Sequence, residues 1–139
     1  MILEKERYFT DGKYGGNGGG KWSDLVVKDN GNITAIELKE SGYIKAIRVR
    51  YGNTWGDWHG GGGSLHTFEL NPGEHIKAVK GRKGGAVDGI EFHSSDSQVY
   101  GPYGGNGGSL FESSKADCYL SYLSGVLFFS FVPSGNTRA

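Results

Sequence analysis

The sequence is poor in several features that would restrict its fold or its partners. Cys118 is the only cysteine, so no disulfide can form within the chain, and we expect a buried, unreactive thiol there. Acidic and basic residues number 15 each, and the zero net charge indicates neither a nucleic acid nor an anionic membrane as partner. The longest apolar run, from Val126 to Val132, is interrupted by Ser130 and is too short to span a membrane.

Signals for targeting, metal binding and catalysis are also missing. Residues 1–7 are charged where a secretory signal needs an apolar core, so we expect a cytoplasmic protein, or a secreted one whose leader has been removed. No cofactor is predicted, and the four histidines lack the spacing of metal ligands. The aspartates at 57, 88, 96 and 117 lie in different turns, whereas a glycosidase needs a pair of close carboxyl groups. We therefore expect a protein that is not an enzyme.

Glycine and aromatic residues are abundant instead. The 139 residues include 26 glycines, 8 tyrosines, 7 phenylalanines and 3 tryptophans, with only 3 prolines. Such a composition is typical of many short strands joined by tight turns. The length suits a single domain, residues 1–139, with one core.

Three glycine clusters repeat along the chain. Each follows a tyrosine or histidine, and they occupy Tyr14–Gly19, His59–Gly63 and Tyr103–Gly108. Their first residues lie 45 and 44 residues apart. Nearly equal spacing predicts three copies of one supersecondary unit.

A second pattern repeats between the glycine clusters. Ile44–Val49, Val87–Phe92 and Leu123–Phe128 share an order of apolar, polar, small, apolar, variable and apolar residues, which is typical of a turn leading into a half-buried strand. Almost no window of the chain has helical periodicity. Three such units closing one core predict a threefold prism of sheets, although a sandwich or a trefoil barrel fits the same counts.

Glycine loops of this kind indicate a ligand rich in oxygen atoms, because the absence of Cβ lets backbone amides approach it. A phosphate cradle needs a helix N-terminus or a Gly-Lys-Ser/Thr ending, and neither is present. Sugar hydroxyls fit better if a carboxylate accepts their protons. Only the second repeat places a carboxylate at the start of its strand, Asp88, where we align Lys45 in the first repeat and Ser124 in the third. Asp88 as a simple turn residue is the alternative.

The Gly-Gly-x-Gly-Gly loops and the Gly-x-x-x-Asp strand start at Gly84–Asp88 resemble the jacalin-related lectins over about Tyr14 to Val132. Gly101–Gly108 is similar to the loop of griffithsin-like members, and Ile44–Trp55 is similar to the animal zymogen-granule type. The resemblance implies an all-β fold, a β-prism of three Greek-key-like four-stranded sheets with threefold pseudosymmetry. It also implies a carbohydrate-binding lectin for mannose- or glucose-type sugars in mono- or oligosaccharides. We further expect calcium independence and a homodimer.

In that family a sugar site combines a strand start with a glycine loop. The primary site implied here consists of Gly84, Gly85, Ala86, Val87, Asp88, Tyr103, Gly104, Gly105, Asn106 and Gly107. A secondary, degenerate site consists of Gly15, Gly16, Asn17, Gly18, Tyr119, Tyr122, Leu123 and Ser124.

Basic residues suggest an alternative function. They concentrate in the first two repeats, where a sheet face could bind a sulfated polysaccharide or another polyanion. The residues proposed for this face are Lys45, Arg48, Arg50, Lys80, Arg82 and Lys83.

Overall fold

The computed structural model describes residues 7–15, 21–125 and 127–136. Two short 3-10 helices lie at Val27–Asn30 and Ser134–Asn136, and the remaining regular structure is strand. The strands are β1 (Phe9–Asp11), β2 (Ile33–Glu40), β3 (Ile44–Tyr51), β4 (Thr54–Trp55), β5 (His59–Gly60), β6 (Ser64–Glu69), β7 (Ile76–Lys83), β8 (Val87–Ser94), β9 (Val99–Gly104), β10 (Ser109–Ser114), β11 (Cys118–Ser124) and β12 (Phe128–Pro133).

The strands form three antiparallel sheets, each built around one hairpin of consecutive strands. Sheet I has the order β4-β3-β2-β6, with β5 also paired to β3; sheet II has the order β10-β7-β8-β9; sheet III has the order β1-β12-β11. This arrangement confirms the predicted all-β prism. The sheets hold five, four and three strands in the described part of the chain rather than four each. An isolated bridge between Ser23 and Ser124 extends sheet III beyond the edge of β11.

All three hairpins contribute alternate side chains to one core, as the period-two pattern predicts. Sheet I contributes Ile36 and Val49, sheet II contributes Phe92, and sheet III contributes Phe129 and Phe131, all fully buried. Burying a side chain of this size stabilises a fold by about 1.5–3 kcal/mol. The core therefore fixes the three hairpins relative to one another.

Contacts between repeats place the hairpin turns beside the glycine loops. The backbone of Gly105, in the third glycine loop, packs on the turn of sheet I at Gly42. Tyr14, from the first loop, lies under the ammonium of Lys83 at the end of β7. Glycine loops and hairpin turns therefore alternate at one end of the prism, where the predicted sites should lie.

The structure also tests the prediction made for the single cysteine. Cys118 is buried, and burial raises the pKa of its thiol, as expected of an unreactive cysteine. No helix among residues 7–15, 21–125 and 127–136 is long and apolar enough to cross a bilayer.

Candidate functional site

The turn between β7 and β8 places a glycine directly beside the Asp88 carboxylate. The N–H of Gly84 donates a 2.9 Å hydrogen bond to the carbonyl of Ala86, which closes the turn. A Cβ added to Gly84 would lie 3.3 Å from Oδ2 of Asp88. The turn therefore leaves space at the carboxylate that a side chain would reduce.

The loop between β9 and β10 lies on the other side of this carboxylate. The N–H of Gly105 donates a 2.6 Å hydrogen bond to the carbonyl oxygen of Asp88. A Cβ at Gly107 would lie 3.5–3.7 Å from the carboxyl group, and one at Gly108 would lie 2.5 Å from Oδ2. Gly108 has φ +75°, a conformation that favours glycine. Asp88 and the third glycine loop thus meet in space, and Gly108, omitted from the predicted site although it lies within the glycine motif, belongs to this group.

The Asp88 carboxylate is available to a ligand. Within the described residues, no side chain or backbone group donates a hydrogen bond to its oxygens, and no cation pairs with them. The N–H groups of Gly85 and Gly107 likewise have no acceptor in the described residues. The site therefore combines two open acceptor oxygens with free amide donors.

Two predicted site residues face away from this opening. The Val87 side chain is buried in the core. Tyr103 is half-buried, its ring lies parallel to that of Phe68 with centroids 6.2 Å apart, and burial raises the pKa of its hydroxyl. Tyr103 therefore anchors the start of the loop, whereas Asn106 at the loop tip is exposed.

The first repeat has the same backbone frame around Lys45. Gly61 donates a 3.2 Å hydrogen bond to the carbonyl of Lys45, as Gly105 does to that of Asp88. Lys45 thus occupies the position of Asp88, as the sequence alignment predicted.

The third repeat corrects the predicted register. A Cβ at Gly12 would lie 2.9 Å from the carbonyl of Leu127, and the Tyr14 N–H donates a 3.1 Å hydrogen bond to the same carbonyl. Leu127, rather than Ser124, therefore corresponds to Asp88. Ser124 ends β11 and pairs with Phe128, as Lys83 ends β7 and pairs with Val87, so Ser124 lies before the hairpin turn and corresponds to Lys83.

The sequence also matches a known protein family over most of its length. The model of the jacalin-like lectin domain matches residues 11–126. The chain belongs to the jacalin-like lectin family. The resemblance drawn from the glycine loops is therefore confirmed.

Two relatives of this jacalin-like lectin are similar to it over more than 70% of its length. Zymogen granule membrane protein 16 of Rattus norvegicus is 36% identical over 104 residues, which are 73% of this chain and 62% of that protein. Griffithsin of Griffithsia sp. (strain Q66D336) is 35% identical over 102 residues, 72% of this chain and 74% of griffithsin. The chain thus spans less than two thirds of the length of the zymogen granule protein.

Solved structures share the fold at lower identity. The artocarpin-mannotriose complex has a TM-score of 0.76 at 23% identity and covers 93% of this chain and 98% of artocarpin. Malaysian banana lectin has a TM-score of 0.76 at 20% identity and covers 91% of this chain and 99% of that lectin.

The predicted secondary site of this jacalin-like lectin is not assembled in the described residues. Tyr119 stacks on His75 with ring centroids 4.3 Å apart, and it lies five residues before Ser124, about 16 Å away along an extended strand. Tyr122 packs against Tyr8, and Leu123 is fully buried. Gly15 follows Tyr14, whose N–H bonds to the Leu127 carbonyl, and the remaining members, Gly16, Asn17 and Gly18, lie outside the described residues.

The six basic residues do not share one sheet face, which corrects the predicted basic surface. Lys45, Arg48 and Arg50 lie on β3 of sheet I, and the others lie on β7 of sheet II. Three of the six basic residues form ion pairs with carboxylates. These ion pairs are Arg48 with Glu37, Arg50 with Glu69 at 3.2 Å, and Lys80 with Glu112 at 3.6 Å.

A buried polar cluster holds the second glycine loop. Asp24, 3% exposed, accepts hydrogen bonds from the Tyr51 hydroxyl at 2.7 Å and from Nε2 of His59 at 3.1 Å. Trp22 stacks on the His59 ring with centroids 3.5 Å apart. Burial and the neighbouring carboxylate raise the pKa of Tyr51. Sequence reasoning missed Asp24 because its partners are 27 and 35 residues away in the chain.

Proposed function

We propose that this jacalin-like lectin binds neutral mannose- or glucose-type sugars at Asp88, without calcium and without chemically changing them. The observation that carries the proposal is the Asp88 carboxylate, which is unpaired among the described residues and lies between the Gly84 turn and the Gly104–Gly108 loop. Two oxygens can accept protons from two vicinal hydroxyls. The amides of Gly85 and Gly107, which have no acceptor in the part of the chain that the structure describes, can donate to the sugar oxygens, so that donors and acceptors of a neutral ligand are both satisfied.

The charge of the site supports a neutral ligand. Hydrogen bonds that involve an ionised acceptor are stronger than those between neutral groups. Lys83 and Arg82 flank the turn, but neither pairs with Asp88 in the described residues; Arg82 donates to the carbonyl of Gly108 at 3.4 Å. An anionic sugar would face an unpaired carboxylate at this position, whereas a diol would gain two charge-assisted hydrogen bonds.

Binding without reaction is supported by the positions of two other aspartates. Glycoside hydrolysis uses two carboxyl groups separated by about 5–9.5 Å. Asp96 follows the far end of β8, eight residues beyond Asp88, and Asp117 lies in the turn before β11. The described residues also contain no group of three His, Cys, Asp or Glu side chains that could hold a metal ion.

The solved relatives favour mannose-type ligands. Artocarpin is described as a lectin with mannose specificity, and its structures include complexes with Me-alpha-mannose, mannotriose and mannopentose. Its fold is that of this chain. We therefore propose mannose-type sugars as ligands of the Asp88 site, without specifying the glycosidic linkage.

The decisive experiment is calorimetric titration with methyl α-mannoside and methyl α-glucoside. We expect Asp88→Asn to weaken binding about 10- to 100-fold, because hydrogen bonds to a charged group contribute about 1.5–3 kcal/mol. Asp96→Asn is the matched control and should bind as the unsubstituted protein does. A chelator should leave the affinity unchanged. Equal affinities of the two variants would refute the site, and loss of binding in chelator would refute calcium independence.

A homodimer stays part of the proposal. The edge strand β10 exposes Leu110 at 75%, and exposed edge strands readily pair with another chain. Two copies would raise the avidity of individually weak sites. Sedimentation equilibrium tests this directly: a dimer is expected at micromolar concentration, and a single monomeric species would contradict it.

A further inference from the structure

We propose that Lys45 and the glycine loop at Gly60–Gly63 form a second sugar site that selects sugars carrying a carboxylate or sulfate group. This inference deepens the proposed function, because it rests on the glycine loops being sugar-binding elements. The anionic group is the shared chemistry of the ligand, and the experiment below distinguishes carboxylate from sulfate.

The backbone around Lys45 reproduces that around Asp88. A Cβ at Gly60 would lie 2.1 Å from the Lys45 carbonyl oxygen, and one at Gly104 would lie 2.4 Å from the Asp88 carbonyl oxygen. Both glycines have positive φ, +100° and +96°. The two loops therefore approach their strands in the same way, so a ligand seated in one frame has an equivalent place in the other.

The charged tips of the two side chains also correspond. A Cβ at Gly62 would lie 3.3 Å from Nζ of Lys45, whereas one at Gly107 would lie 3.5–3.7 Å from the Asp88 carboxyl group. Gly63 then packs against the backbone of Glu40, as Gly108 packs against the carbonyl of Lys83. The ammonium thus lies under its glycine loop where the other site has a carboxylate.

The ammonium is free to bind an anion. No carboxylate lies within ion-pair distance of Lys45 among the described residues. Glu40, whose backbone borders the loop, is engaged by Nε2 of His66 at 3.0 Å and by the N–H of Gly42 at 3.2 Å. The hydrogen bond from His66 and that from Gly42 lower the pKa of Glu40, and they hold this carboxylate with partners other than Lys45.

The replacement of a carboxylate by an ammonium changes which ligand the site can bind. An ammonium has three donors and no acceptor, so it cannot take the protons of a neutral diol as Asp88 can. A carboxylate or sulfate supplies only acceptors and the opposite charge, which fits this set of donors. The Tyr43 ring, 42% exposed and 5.9 Å from Nζ, offers an apolar face for the sugar ring beside the anion.

Titration of charged and neutral sugars tests the site. The ligands are methyl glucuronide, glucose 6-sulfate and methyl α-glucoside, titrated at low salt. They are added to the unsubstituted protein, to Lys45→Gln, to Asp88→Asn, and to the control Lys77→Gln, whose lysine is exposed. We expect both anionic sugars to bind the unsubstituted protein, with about a 10-fold or greater loss in Lys45→Gln and none in Lys77→Gln. Salt should weaken this binding. Binding of one anion alone identifies the group that the site prefers.

A charge reversal gives the sharper result. In an Asp88→Asn background, Lys45→Asp should lose the anionic sugars and gain methyl α-glucoside. Anionic binding that survives Lys45→Gln, or that never occurs in the unsubstituted protein, would overturn the proposal. A failure of the proposed function at Asp88 would look different. In that case Asp88→Asn would bind methyl α-glucoside as the unsubstituted protein does, while Lys45→Gln would still lose the anionic sugars.

Discussion

The backbone N–H of Gly105 donates a hydrogen bond of 2.6 Å to the carbonyl oxygen of Asp88. This bond joins a loop to a strand start from the preceding hairpin, and it leaves the Asp88 side chain free for a ligand. The loop is also held from behind, because a Cβ at Gly105 would lie 2.1 Å from the carbonyl oxygen of Gly42. The site is therefore formed before a sugar arrives, which reduces the entropy lost on binding.

Gly108→Ala should abolish sugar binding at Asp88 and destabilise the fold. A methyl group there would meet the carbonyl oxygen of Lys83 at 2.3 Å and Oδ2 of Asp88 at 2.5 Å, and the first of these is backbone that cannot move aside. Gly73→Ala is the matched control, since Gly73 also has positive φ, +81°, and no atom lies within 4 Å of the position that its Cβ would occupy. In thermal unfolding, backbone strain should lower the free energy of unfolding of both variants by about 1–3 kcal/mol. Only Gly108→Ala should lose further stability, because only its methyl group meets other atoms. Equal stability and unchanged sugar affinity in Gly108→Ala would contradict the geometry.

Tyr100→Phe should change how stability depends on alkaline pH. The Tyr100 hydroxyl donates to the Glu74 carboxylate at 2.8 Å, and burial, followed by this hydrogen bond, raises the pKa of Tyr100 from 10.0 to about 12. Between these two values the unfolded chain has lost the proton and the folded chain has kept it. The free energy of unfolding contributed by Tyr100 is therefore complete below pH 10 and declines as pH rises toward about 12.

Urea unfolding at several pH values measures this contribution. Near neutral pH, Tyr100→Phe should cost about 1.5–3 kcal/mol, because the lost hydrogen bond is to a charged group. The difference between the two proteins should shrink above pH 10. Tyr43→Phe is the control, since Tyr43 is exposed and donates to no carboxylate in the described residues. A difference that stays constant up to pH 12 would contradict the raised pKa.

Heparin chromatography tests the polyanion hypothesis for sheet I. The Arg50–Glu69 ion pair at 3.2 Å neutralises one of the cations, so retention of the unsubstituted protein should be weak and should fall with added salt. Glu69→Gln should elute later because Arg50 is released. Asp96→Asn changes the net charge equally at a distant turn. Equal delays of the two variants would show that net charge, and not the sheet I surface, controls retention.

The repeated pattern predicted much of the fold and part of the site because both depend on local chemistry. Alternation in β3 and β8 follows the two-residue period of a strand, and clusters such as Gly104–Gly108 indicate loops that need positive φ. The register of the third hairpin was not predictable in this way. Ser124 ends the first strand of its hairpin, as Lys83 does, and only the hydrogen bond from the Tyr14 N–H to the Leu127 carbonyl shows that Leu127 takes the place of Asp88.

By itself, the sequence determined that three similar β units share one core and that a single repeat carries an aspartate at its strand start, because residue type and spacing set these features. Tertiary structure alone decided which groups face each other: Asp88 with Gly108, Lys45 with Gly62, and Arg50 with Glu69. The physical reason is that the contacts at a site and the ion pairs of a sheet face join residues far apart in the chain. Hairpin register and packing set their distances, and neither is encoded in a local pattern.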